Sequence, residues 1–157
     1  MTLILCDTNV LLRLAKPDHP DHEVARDALR VLAGAGYMLA LVPQCCYEYY
    51  VVATRPVERN GLGMSPSHAG RDVDRLIRRF RFLRDERGVF DGWSELVEQY
   101  DVRGKPAHDA RLAAAAFRHG AVHLLTFNGS DFVRYVGLTV IAPAEAAAFA
   151  ANGSAGR

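Results

Sequence analysis

Leu3-Ile4-Leu5-Cys6-Asp7-Thr8-Asn9-Val10-Leu11-Leu12 decides how the chain is read. The apolar run 3–6 has the length and character of a buried strand, and a helical pattern starts immediately after Asn9. A strand that ends on a carboxylate and passes straight into a helix puts that carboxylate at the carboxyl edge of a sheet. Open α/β sheets bind their ligands along that edge. Asp7 can cap the helix, or it can be one member of a reactive group. Which applies depends on what the rest of the chain brings to the same edge.

Working outward, the pattern predicts helices over 9–15 and 21–33 and a strand over 37–42. A helix from Pro43 to about Thr54 follows, then a loop from Arg55 to Ser67. Val73, Leu76, Ile77 and Phe80 mark the apolar stripe of a further helix, and 89–100 forms another. Gly104-Lys105-Pro106 breaks the chain ahead of an alanine-rich helix over 109–117. Strands over 122–126 and 138–141 enclose a polar turn at 128–131, and a last helix covers 143–150. Alternating strands and helices predict an α/β fold with a small, mainly parallel sheet of four or five strands, covered on both faces. The expected organisation is a single domain over 1–150 with a disordered tail over 151–157.

Composition narrows the function classes. The chain has 157 residues, is 50% hydrophobic and carries a net charge of +1, so any grip on a polyanion must come from local patches. Cys6, Cys45 and Cys46 are an odd set embedded in apolar sequence, which fits buried thiols in a reducing compartment. Neither a signal-peptide pattern nor an apolar run near the roughly 20 residues of a membrane span is present. A cytoplasmic protein without membrane contact is expected. There is no GxGxxG after the first strand and no GK[ST] loop. Asn9 stands where an aspartate-nucleophile phosphatase would resemble Asp-x-Asp.

Four carboxylates stand apart from the ordinary charged surface. Asp7 ends the first strand. Glu48 lies within a helix whose neighbouring positions, Cys45, Val51 and Val52, are apolar, so its charge needs compensation. Asp109 opens the alanine-rich helix, where the helix dipole alone would favour it. Asp131 lies in Thr126-Phe127-Asn128-Gly129-Ser130-Asp131-Phe132, where a turn role alone would explain it. If the four converge, oxygen-only ligands suit Mg²⁺ or Mn²⁺.

Leu-Cys-Asp-Thr-Asn at the start, Glu48 after the second strand, Ala107-His108-Asp109-Ala110-Arg111-Leu112, and Leu124 through Phe132 together resemble a PIN-domain ribonuclease. They look most like the VapC-like toxins of type II toxin–antitoxin pairs. Arg59-Asn60-Gly61-Leu62-Gly63 resembles a subset of that family. The resemblance implies a three-layer α/β/α sandwich and a metal-dependent endoribonuclease that hydrolyses RNA phosphodiester bonds with metal-activated water. It maps the acidic quartet onto Asp7, Glu48, Asp109 and Asp131. Asp7 and Asp109 would be direct ligands of one or two Mg²⁺ or Mn²⁺ ions. Glu48 would bind metal or orient the attacking water, and Asp131 would support a second ion. Thr8, Asn9, Thr126 and Asn128 would hold the carboxylates in place. A cognate antitoxin and a homodimer are implied partners, and a catalytically silent PIN-like RNA- or protein-binding module is the alternative.

Seven arginines against four carboxylates between Ser65 and Arg87 make a local charge of +3. Arg71, Arg75 and Arg79 on one helical side, together with Lys105 and His108 near Asp109, are the candidate RNA contacts. A solvated face with intrahelical ion pairs is the other reading of that arginine stretch.

Overall fold

The computed structural model describes residues 1–154. Five parallel strands form one sheet among these residues: β1 (Leu3–Cys6), β2 (Met38–Leu41), β3 (Arg81–Phe82), β4 (His123–Leu125) and β5 (Thr139–Ile141), in the order β3-β2-β1-β4-β5. The helices are α1 (Thr8–Leu14), α2 (His22–Gly34), α3 (Pro43–Thr54), α4 (Pro66–Arg79), α5 (Arg87–Gln99), α6 (Ala107–Arg118) and α7 (Ala146–Ser154). This is the expected α/β architecture with a small parallel sheet.

The central strand shows why the sheet needs helices on both faces. Ile4, Leu5 and Cys6 point alternately to opposite faces, yet all three are fully buried. β1 pairs with β2 through Ile4 and Leu39, and with β4 through Leu5 and Leu124. One continuous apolar core runs from Ile4 to Ala150. Buried Ala110 and Ala113 to Ala116 give α6 a small-residue face, and α6 packs closely on α5.

The strand order also locates the site. From β1 the chain builds outward to β2 and β3, then returns and builds the other way through β4 and β5. The order therefore reverses between β1 and β4, and the crevice beyond their carboxyl ends is where such sheets bind ligands. Asp7 follows β1 and Thr126 follows β4, and the backbone N–H of Asp7 donates to the Leu125 carbonyl at 3.0 Å. Both side chains thus stand at the mouth of that crevice.

Several elements differ from the sequence-based expectation, among them α4, which starts at Pro66 inside the expected loop. β3 was hidden within the arginine stretch, because two residues carry no periodicity; its pairing with β2 and the Leu83 N–H donated to Leu41 O (2.8 Å) create it. α1 starts at Thr8 because Asp7 is its N-cap. α6 starts at Ala107, so Asp109 lies in its first turn rather than opening it. α7 runs on to Ser154 after a 3-10 turn at Pro143–Glu145, so residues 151–154 of the expected disordered tail are helical. Residues 155–157 of that tail lie outside the described residues. Among the described residues no helix is long and apolar enough to cross a membrane.

Candidate functional site

An open cleft of about 730 Å³ lies at the carboxyl edge of the sheet, and Asp7, Glu48, Asp109 and Asp131 all line it. Each acid arrives on a different element: the end of β1, the middle of α3, the first turn of α6, and a 3-10 turn at Gly129–Asp131. The fold thus brings together residues as far apart in sequence as 7 and 131.

Asp7 is the most constrained of the four. Its Oδ1 accepts from the Thr8 backbone N–H at 2.7 Å, while Oδ2 accepts from Thr126 Oγ1 at 2.7 Å and from Asn9 Nδ2 at 3.1 Å. Asp7 therefore caps α1 and is also one of the converging acids. Thr126 is fully buried, and its hydroxyl in turn accepts from Asn9 Nδ2 (3.1 Å) and from the Asn128 backbone N–H (3.0 Å). Asn9 Oδ1 accepts from the Phe127 N–H at 3.2 Å, which ties α1 to the segment after β4. In this network Asn128 contributes its backbone N–H, and its side chain lines the cleft.

Glu48 is only partly buried, and each of its oxygens has one donor. Oε2 accepts from Thr8 Oγ1 and Oε1 from Gln44 Nε2, both at 2.9 Å. The compensation its apolar neighbours demanded therefore comes from two neutral side chains. At the entry to α6, Trp93 Nε1 donates to the Ala107 carbonyl at 2.8 Å and holds the helix start that carries Asp109.

The electrostatics report crowding. Burial pushes the Asp7 carboxyl up to about 6; hydrogen bonds from Thr126 and Thr8 pull against this, and the charges of Glu48 and Asp109 add to it. Asp109 is also held above the usual carboxylate range, first by burial, then by Asp131 and Glu48, with His108 and Lys105 partly offsetting them. A cation in the cleft would relieve this strain. Asp7 has accepted three hydrogen bonds, which leaves one of a carboxylate's roughly four lone-pair sites open. Among the described residues no three His, Cys, Asp or Glu side chains form a ready-made ligand cluster. Such a donor set fits a hard cation that keeps part of its water shell and is held by one or two carboxylates, as Mg²⁺ is.

The expected RNA contacts divide. Lys105 and His108 line the cleft, whereas Arg71, Arg75 and Arg79 do not. On α4, Arg71 donates to Ser67 Oγ (2.7 Å) and Arg75 pairs with Asp72 (3.0 Å), the intrahelical arrangement of a solvated face. Sequence reasoning missed Arg55, the residue that ends α3 and lines the cleft, and gave no role to Gln44 or Arg111. Gln44 stands four residues before Glu48, on the same helical face, and that spacing was its only signal.

A family model described as PIN domain matches residues 4–138. No curated protein matches the sequence. Among solved structures, the chain is similar to VapBC2 from Rickettsia felis bound to a DNA fragment from its promoter. The identity there is 16% and the TM-score 0.68, over 90% of this chain and 98% of that one. A toxin–antitoxin complex from Klebsiella pneumoniae matches at 21% identity and a TM-score of 0.63, over 89% of this chain and 97% of that one. VapC20 from Mycobacterium tuberculosis, described as a sarcin-ricin loop cleaving toxin, matches at 17% identity and a TM-score of 0.60, over 82% and 92%. At these identities the likeness is one of fold.

Proposed function

This chain belongs to the PIN-domain family, and from that premise we propose that it is a metal-dependent endoribonuclease, the toxin of a toxin–antitoxin pair. One observation carries the reading: four carboxylates from four separate elements line one cleft at the point where the strand order reverses. Folding gains nothing from burying carboxylates beside one another, and the Asp7 and Asp109 carboxyls, raised first by burial and further by their acidic neighbours, are the sign of that cost. The sarcin-ricin loop cleavage ascribed to VapC20 supports RNA as the substrate class.

Asp7 and Asp109 would hold one or two Mg²⁺ or Mn²⁺ ions, with Asp131 supporting a second. The bound ion would activate water for attack on the phosphodiester and stabilise charge on the phosphate and the leaving oxygen. Thr126 and Asn9 keep the Asp7 carboxylate aimed into the cleft. Thr8 and Gln44 each hold one oxygen of Glu48, so that the remaining lone pairs of this carboxylate can orient the attacking water. Cleavage of RNA with Mg²⁺ or Mn²⁺, and none with EDTA, is the expected result. Cleavage that persists in EDTA would refute metal dependence.

Arg55 and Lys105 would neutralise phosphates flanking the scissile bond, and His108 would offer them a ring nitrogen. Arg55→Glu and Lys105→Glu should each weaken single-stranded RNA binding and flatten its salt dependence by about one unit of slope. Arg75→Glu and Arg79→Glu should leave both nearly unchanged. Anisotropy titrations at several salt concentrations check this, and an unaltered slope for the Arg55 and Lys105 variants would remove the cleft as the RNA path.

The structural neighbours include toxin–antitoxin complexes, which supports an antitoxin partner here, and a second copy of this chain is the other proposed partner. An apolar groove of about 810 Å³ lined by Tyr50, Val51, Val73 and Ile77 is consistent with a protein partner. Sedimentation of the purified chain should show a dimer; a monomer at the highest soluble concentration would remove the homodimer. Failure of a protein encoded in the adjacent reading frame to co-sediment would remove the antitoxin. Three buried, free thiols at Cys6, Cys45 and Cys46 support a cytoplasmic location.

A further inference from the structure

Gln44 is 7% exposed and makes three side-chain hydrogen bonds. Its Nε2 donates to Glu48 Oε1 at 2.9 Å and to the His108 carbonyl at 2.8 Å. Its Oε1 accepts from one terminal nitrogen of Arg111 at 3.1 Å, and the other terminal nitrogen of Arg111 donates to Asp85 Oδ2 at 2.8 Å. The chemistry of these partners leaves one amide orientation. A guanidinium only donates, so the amide oxygen must face Arg111. A backbone carbonyl only accepts, so the nitrogen must face His108. Both constraints turn an N–H toward Glu48.

Gln44 also spans two elements of the cleft. It bonds the side chain of Glu48 on α3 and the backbone of the residue just before Asp109 on α6. No other side chain among the described residues is recorded with hydrogen bonds to both of these places. The Arg111–Asp85 pair extends the chain of contacts to the segment after β3, outside the cleft lining.

We propose that Gln44, oriented by Arg111 and Asp85, is a positioning residue that sets the spacing of the Glu48 and Asp109 carboxylates and thereby the affinity of the cleft for a divalent cation. The proposal rests on the metal-dependent reading above. Gln44 does not line the cleft. It acts by holding Glu48 from the side opposite Thr8 and by tying α3 to the start of α6.

Calorimetric titration of Mn²⁺ into the full-length chain, with melting temperatures recorded alongside, tests it. The set is wild type, Gln44→Met, Glu48→Gln and the double variant. Gln44→Met should weaken Mn²⁺ binding about tenfold, the scale seen when a residue supporting a metal ligand is lost. In the Glu48→Gln background it should cost clearly less, because one of the two carboxylates it spaces is gone. Equal losses in both backgrounds, or unchanged affinity in Gln44→Met, would overturn the role of Gln44 and leave the nuclease reading standing. A wild type that binds no Mn²⁺ would overturn both. If Gln44→Met does not fold, Arg111→Met carries the same cycle: it keeps the amide and removes what orients it, so it should weaken Mn²⁺ binding chiefly when Glu48 is present.

Discussion

Asp7→Asn should lower metal-dependent RNA cleavage by about 100-fold or more, since it removes a ligand charge where even the loss of a supporting residue typically costs roughly 10- to 100-fold. Asn keeps the size of the side chain and can still accept from the Thr8 N–H, so the cap of α1 persists. Its new amide group would face the Asn9 Nδ2 donor, at a cost of about 1 kcal/mol. Stability should respond to pH in the opposite sense. The Asp7 carboxyl is raised from 3.8 to about 6 in the folded chain, so the fold favours its protonated form. Its contribution to stability is fully present below about pH 4 and is lost as pH rises through about 6. Asn is neutral throughout. In metal-free protein the stability of Asp7→Asn relative to wild type should therefore grow by about 3 kcal/mol between about pH 4 and pH 7.5, the shift converted at about 1.4 kcal/mol per unit. Denaturant curves across that range, run beside cleavage assays, check both halves. Wild-type cleavage by the variant would sink the catalytic assignment, and parallel pH–stability curves would sink the argument that burial raises the Asp7 carboxyl. Absence of cutting by wild type itself, together with no Mn²⁺ binding, would favour the silent binding module.

Gly61→Ala should destabilise the chain by about 3 kcal/mol or more, at the upper end of overpacking effects. A Cβ at this position would overlap the backbone carbonyl of Arg55, which cannot swing away as a side chain would. The reason is the course of the loop after α3. A 3-10 turn at Val57–Arg59 passes through Asn60 in the left-handed region, a conformation Asn tolerates better than most residues, and the chain then doubles back. Gly61 N–H donates to Pro56 O (3.0 Å), Leu62 N–H to Val52 O (3.0 Å), Gly63 N–H to Arg55 O (2.9 Å) and Met64 N–H to Ala53 O (2.8 Å). These bonds satisfy carbonyls at the end of α3 and seat Arg55 at the cleft. Gly70→Ala is the matched control: it lies in α4 with open space around its Cβ position and should gain up to about 1 kcal/mol from helix propensity. Urea unfolding of the two variants tests the contrast, and a Gly61→Ala midpoint equal to wild type would refute the close-approach argument.

Much of the fold was legible because its determinants are local. An apolar run of four ending at Asp7, Pro43 at a helix start and a helix after it, and an alanine face from Ala110 to Ala116 each announce an element through nearest neighbours. The phase of those patterns also says which residues face inward. Asp7 and Thr126 were placed at strand ends by the same local logic, and the carboxyl edge of the sheet followed. The arginine stretch was less legible for a related reason. Composition registers a charge excess along a segment but carries no information on which surface the segment occupies, and no α4 residue lines the cleft.

The remainder is long-range. β3 is a strand only because β2 offers it a free edge, and Arg55 reaches the cleft only because the loop after it folds back on α3. Whether Glu48 finds Thr8, forty residues away, and whether Gln44 turns its nitrogen toward Glu48, depend on the way α1, α3 and α6 pack around the β1–β4 crevice. The linear chain thus carried most of the elements, β3 excepted, and the four acids. Their convergence, the burial that raises Asp7 and the neutral side chains that hold Glu48 arise from contacts between elements distant in sequence, whose geometry no local pattern encodes.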